Sequence, residues 1–167
     1  LSTISDTWRN DGPGTGKLID WPGNTMVALG NEGVAQRLKI SQNSIGYVEY
    51  GFARRLGISM AALENSAGNF IEPGPEGGKS ALAAAVEDIP DNLRLFIPDP
   101  GGNDAYPIVS LVWLLLPETY SDHEKKDTLT NLVAWVLRDG QATAEEMGYI
   151  ALPDNLVTRA GKALIDI

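Results

Sequence analysis

Within AYPIVSLVWLLLP, residues 105–117, lies the longest apolar run of the chain, Pro107 to Leu116. It is far short of the ~20 residues needed to cross a bilayer. Val, Ile, Leu and Trp dominate it and Pro107 and Pro117 bound it, which predicts a buried strand. Just upstream, Leu93 to Ile97 predicts a further strand, followed by an exposed loop from Pro98 to Asp104. Just downstream, Ser121-Asp122-His123-Glu124 reads as a capping box, with Ser121 as the cap and Glu124 reaching back. The helix it opens carries Leu129, Leu132, Val133 and Val136 at helical spacing and is expected to stop at Gly140.

Outward from this centre the pattern alternates. Towards the C-terminus, Ala142 to Met147 and Asp154 to Ile165 predict two more helices, with Pro153 suited to the first turn of the last. Towards the N-terminus, Pro73-Gly74-Pro75 breaks the chain before an alanine-rich helix, Glu76 to Asp88. Ile58 to Leu63 and Asn69 to Ile71 predict two short strands bridged by Glu64-Asn65-Ser66-Ala67-Gly68. SIGYVEY, residues 44–50, alternates and predicts a strand. Phe52 to Leu56 reads as a helical turn stopped at Gly57, Asn31 to Ile40 as a short helix, and Leu1 to Asn10 as the end of a helix. Strands alternating with helices give an α/β class.

Composition narrows the function. The chain has 167 residues, enough for one ordinary domain, and 43% of them are hydrophobic, which excludes a disordered chain. Its 18 glycines and 10 prolines imply many turns rather than a helical bundle. A net charge of −9 argues against a nucleic-acid backbone as partner. With no cysteine, disulfides, thiolate catalysis and cysteine-type zinc sites are excluded together. The chain starts at Leu1 without a charged-then-apolar leader, so the expectation is a removed leader or a piece of something longer.

NDGPGTGKLIDWPG, residues 10–23, invites reading as an anion loop. A Walker A loop requires Gly-Lys followed by Ser or Thr, and Gly16-Lys17 is followed by Leu18. Asp11 stands where the first glycine belongs, and Pro22 disfavours a helix through Trp21. Without a helix N-terminus the loop has no dipole to hold an anion, so it reads as a turn with Trp21-Pro22-Gly23 as a corner. His123 is the sole histidine and reads as a solvated residue in a helix's first turn, since a metal site needs several convergent ligands. Glu145 and Glu146 are adjacent and diverge by about 100° on a helix, which suits a solvated face better than an acid–base pair. Tyr47, Tyr50 and Tyr106 read as strand-packing residues. No nucleophile elbow accompanies His123, and nothing in these residues supports an enzyme. A phosphate-ester hydrolase or nucleotide-binding domain centred on residues 10–18 would need a metal site or a nucleophile–base pair, and neither is found.

Taken together, GNEGVAQRL (30–38), SIGYVEYGFA (44–53), AGNFIEP (67–73), AYPIVSLVWLLLP (105–117) and GQATAEEMGYIALPDNLV (140–157) resemble, in this order and spacing, the phosphate-binding receptor of the bacterial phosphate ABC transporter. That family consists of periplasmic solute-binding proteins, and the resemblance covers essentially the whole chain. It implies an α/β, two-lobed, type II-like binding-protein fold of which this chain supplies roughly the C-terminal half. Residues 1–104 would belong to the second lobe. Residues 105–167 would form a crossover strand and C-terminal helices completing the first, with Ala105, Tyr106, Pro107, Ile108, Val109 and Ser110 as hinge candidates.

The resemblance further implies binding of inorganic phosphate outside the cytoplasmic membrane and delivery to an ABC permease, without cofactor, metal or catalysis. A secreted phosphate-binding or interaction protein uncoupled from a transporter is the alternative. The expected location is periplasmic, secreted or cell-surface, with a lipid anchor upstream of Leu1 as one route. The family's phosphate contacts come from a Ser/Thr-Phe loop, a Gly-Ser helix start, an aspartate strand end and an Arg-Ser-Asp-Gly-Ser-Gly-Thr motif. All four precede the matched region, so no phosphate contact transfers to any residue here. The chain is expected to need an N-terminal partner segment. Without it, sheet edges would lie unpaired and the 107–116 stretch uncovered.

Overall fold

A computed structural model of the chain describes residues 1–16, 19–21 and 23–165. Its contacts divide it into two compact units, Leu1–Met60 and Ala61–Ile167.

The first unit is helical. Ser5 caps α1 (Asp6–Asn10) by accepting from the Trp8 amide at 3.1 Å. α2 (Gly30–Ile40) packs against α3 (Tyr50–Leu56), burying Ala35 and Ala53. α3 ends where Gly57 turns into the left-handed region (φ 63°) and its amide donates to the carbonyls of Ala53 and Arg54. That conformation suits glycine, which has no Cβ to clash. Between the two helices, residues 44–49 form no strand, contrary to the alternation of SIGYVEY. A strand needs a ladder partner, and no neighbouring segment among the described residues supplies one. Ile45 is instead 96% exposed, and the stretch is tied down by side chains. Asn31 accepts from the Glu49 amide (3.0 Å) and donates to the Glu49 carboxylate (3.1 Å), clipping the start of α2 to the start of α3.

The second unit mixes helices with two short antiparallel ladders. β1 (Leu63–Glu64) pairs with β2 (Phe70–Ile71), so the first strand is confined to the end of the expected Ile58–Leu63. α4 (Pro75–Ala85) starts with proline in its first turn, where a missing N–H costs nothing, and runs into a single 3-10 turn at Val86–Asp88. β3 (Ile97–Pro98) pairs with β4 (Ile108–Val109), in register Ile97 with Val109 and Pro98 with Ile108. Both strands are far shorter than the apolar pattern predicts. Leu93 leaves the extended conformation altogether (φ 58°), which breaks the expected Leu93–Ile97 strand at its first residue.

Three helices close the chain: α5 (His123–Arg138), α6 (Gly140–Met147) and α7 (Asp154–Ile165). The cap of α5 is Asp122 rather than Ser121, its carboxylate accepting from the Lys125 amide at 3.1 Å. Aspartate caps as well as serine, and its charge adds favourably to the helix dipole. α5 gives way to α6 at Asp139, with no glycine stop between them. Gln141 braces the corner by donating to the Val136 carbonyl and accepting from the Leu152 amide, both at 2.9 Å. The core gathers Leu82, Ala85, Val86 and Ile89 from α4 and its extension, Ile97 from β3, and Leu156 from α7. Each large aliphatic side chain buried there contributes about 1.5–3 kcal/mol. Arg159 of α7 donates to the carbonyls of Ile89 (2.6 Å) and Pro90 (2.8 Å), fixing that helix to the end of the α4 extension.

From 108 to 114 the chain alternates as a strand does. Val109, Leu111 and Trp113 are turned inward, and Val109 and Leu111 pack on the core. Trp113 donates its indole N–H to the Leu93 carbonyl at 2.7 Å and meets Phe96 edge-on. Ile108, Val112, Leu114 and Leu115 are exposed, Val112 at 85% and Leu115 at 87%. The stretch expected to be buried therefore has one covered face and one bare one. Among the described residues, no helix is long and apolar enough to cross a membrane.

Candidate functional site

The hinge candidates Ala105 to Ser110 lie in the second unit and are held at several points. Asn65, at the turn between β1 and β2, is 5% exposed. Its side-chain amide donates to the carbonyls of Gly102 (3.1 Å), Asn103 (3.0 Å) and Ala105 (3.1 Å). Its side-chain oxygen accepts from the amides of Ala67 (3.1 Å) and Asn69 (3.0 Å), closing the turn as an asparagine side chain commonly does. The carbonyls demand a donor and the amides an acceptor, which fixes the orientation of the side chain. Asn69 adds a bond to the Asn103 carbonyl (3.1 Å) and Ser66 one to the Pro100 carbonyl (3.2 Å). Sequence reasoning placed Asn65 in a bridging turn and gave it no further role. The one signal was an asparagine opening a tight turn.

Ala105 itself is fully buried. The Tyr106 amide donates to the Gly77 carbonyl of α4 at 3.0 Å, and burial raises the Tyr106 phenol above its ordinary value of 10.0. Gly77 makes this approach close: a methyl in place of its hydrogen would lie 3.1 Å from Ile71 and 3.2 Å from the Tyr106 Cβ, so these neighbours would have to give by a few tenths of an ångström. The Asp99 amide donates to the Pro107 carbonyl at 3.1 Å, and Ile108 and Val109 complete the ladder with β3. Of the three tyrosines expected to pack on strands, Tyr106 lies in this crossover. Tyr50 begins α3, beneath the Arg54 guanidinium at 5.7 Å. Tyr47 lies 5.9 Å from Trp21, which in turn lies 5.6 Å from Trp8.

At its start the glycine-rich stretch turns the chain away from the end of α1, over residues 11–14. The Asp11 and Gly12 amides donate to the Thr7 carbonyl at 2.9 and 3.0 Å, and the Gly14 carbonyl accepts from the Trp8 indole at 2.9 Å. Those amides serve the end of α1. Lys17 and Pro22, and with them part of the motif reading and of the Trp21-Pro22-Gly23 corner, lie outside the described residues. His123 is the exposed first residue of α5, and no three His, Asp or Glu side chains converge among the described residues.

Glu145 keeps its side chain 40% exposed. It is ion-paired with Lys79 at 2.8 Å, joining α6 to α4 at the rim of a groove of about 310 Å³ lined also by Leu82, Leu152 and Pro153. The hydrogen bond and the charge of Glu145 raise the Lys79 ammonium above its ordinary value of 10.5.

No family model matches the chain. Curated proteins do. The chain is 33% identical over 157 residues to the phosphate-binding protein PstS of Xylella fastidiosa strain Temecula1, covering 94% of this chain and 43% of that protein. It is 32% identical over 161 residues to the phosphate-binding protein PstS of Haemophilus influenzae, covering 95% of this chain and 47% of that protein. With the phosphate-binding protein PstS of Methanocaldococcus jannaschii it shares 33% identity over 172 residues, 93% of this chain and 44% of that protein. The chain thus spans less than half the length of the curated relatives it matches. The similarity falls on the C-terminal part of those phosphate-binding proteins and runs over nearly the whole of this chain.

Proposed function

We propose that the chain forms the C-terminal part of an extracytoplasmic receptor that binds one inorganic phosphate between two lobes and hands it to an ABC permease. The observation carrying this reading is the similarity to phosphate-binding proteins over 94% of the chain. In this reading residues 1–104 belong to the second lobe, residues 105–167 complete the first, and the receptor works without catalysis. The phosphate contacts come from segments that precede this region in the family. They are short-range dipoles and charge-assisted hydrogen bonds, with which a net charge of −9 is compatible. The bare face of residues 108–115 is the surface on which the N-terminal part packs.

Calorimetric titration with phosphate tests this directly. The complete receptor is expected to bind with submicromolar affinity, and the isolated 167-residue chain to give no heat of binding. Submicromolar binding by the isolated chain would overturn the assignment of the contacts to upstream segments. A complete receptor indifferent to phosphate would overturn the function.

A further inference from the structure

We propose that Asn65 is the positioning residue of the crossover, holding its entry against the β1–β2 turn so that lobe movement bends the chain only beyond Trp113. The bending clause rests on the two-lobed reading above, and the latch itself does not.

Asn65 joins two segments 37 to 40 residues apart through one buried amide group. Its two N–H bonds face three carbonyls, so at least one hydrogen is shared. Neighbouring residues could not substitute: serine is too short, glutamine too long for the turn, and aspartate would set a carboxylate oxygen against three carbonyl oxygens. From this point the anchors follow in chain order. Ala105 is held by Asn65, Tyr106 by Gly77, Pro107 by Asp99, and Ile108 and Val109 by β3. From Ser110 to Leu116, no backbone ladder engages the chain among the described residues. Beyond the ladder Leu111 still packs on the core and the Trp113 indole still donates to the Leu93 carbonyl, so the first place where the chain can turn without breaking one of these contacts is Leu114.

Asn65→Asp separates this role from a role in the turn. The introduced carboxylate still accepts from the Ala67 and Asn69 amides but no longer donates to the crossover. In the complete receptor at pH 8, amide exchange at Ala105 and Tyr106 is expected to accelerate about tenfold, with Ala67 and Asn69 unchanged. Acidification protonates the carboxyl and restores one donor, so the ratio to wild type falls towards unity. Asn65→Ala, which removes both functions, shows no such recovery. Phosphate affinity of Asn65→Asp is expected to shift several-fold.

Uniform acceleration across the turn and the crossover, or unchanged protection at Ala105 and Tyr106, overturns the latch. An unchanged phosphate affinity despite lost protection overturns the bending clause. A wild-type receptor that ignores phosphate overturns the function proposed above, and the exchange measurement still decides the latch. If Asn65→Asp does not fold, Asn69→Ala is read instead. Losing the outer bond to Asn103 should speed exchange at the same two amides about twofold, and no change there counts against the proposal.

Discussion

Trp113 and Leu93 are joined by a hydrogen bond from indole nitrogen to backbone carbonyl at 2.7 Å, across 20 residues of chain. The contact fixes two unusual neighbours at once. Leu93 holds a left-handed conformation that costs a non-glycine residue on the order of 1 kcal/mol, and Trp113 is part of the otherwise unladdered apolar stretch. Trp113→Phe keeps most of the ring and leaves the Leu93 carbonyl without its donor. The expected loss of stability is about 1–3 kcal/mol in urea denaturation. Trp135→Phe, at a half-exposed position on α5, should change the midpoint by less than ~0.5 kcal/mol and serves as the control.

Leu115 reports on the bare face. In the complete receptor, where the N-terminal part is proposed to cover it, Leu115→Ser is expected to cost about 1.5–3 kcal/mol, the value of a buried leucine. A denaturation midpoint unchanged by the substitution would mean that solvent, not protein, lies over this face.

Gly57 tests a backbone argument without packing. Nothing lies within 4 Å of where its Cβ would be, so Gly57→Ala meets only the strain of φ 63°. Thermal unfolding should show a loss of about 1–2 kcal/mol. Gly57→Asn should lose less, because asparagine tolerates the left-handed region better than alanine.

The Lys79–Glu145 pair predicts a dependence on alkaline pH. A lysine whose folded value is raised contributes stability that is fully present below its unfolded value of 10.5 and disappears as pH climbs through the folded value. Wild type should therefore be more stable than Glu145→Gln at pH 7 to 9, and the two denaturation curves should converge above 10.5. A gap that persists at high pH would show that Glu145 acts through packing instead.

What could be read in the sequence follows from where the determining interactions are. α2, α3, α4 and α7 are written locally, in Gly57 after α3, Pro75 at the start of α4 and apolar residues at helical spacing. Strands depend on partners elsewhere. SIGYVEY has the alternation of a strand, yet side-chain bonds from Asn31 hold its end, and residues 110–116 have the same pattern with no ladder. Family likeness was legible because it resides in the order of segments. Asn65 was not, because its three acceptors come from a loop nearly forty residues away that no local pattern ties to it.

SLVWLLL, residues 110–116, carries no charge and no glycine, and Ile108, Val112, Leu114 and Leu115 leave one of its sides bare. Such segments stack readily into cross-β fibrils when their edges are open. Pro107 stands three residues before it and Pro117 directly after it, and neither can donate a backbone hydrogen bond to a growing stack. The prolines that mark out the apolar stretch in the sequence thus also interrupt the ladder that such a stack would need.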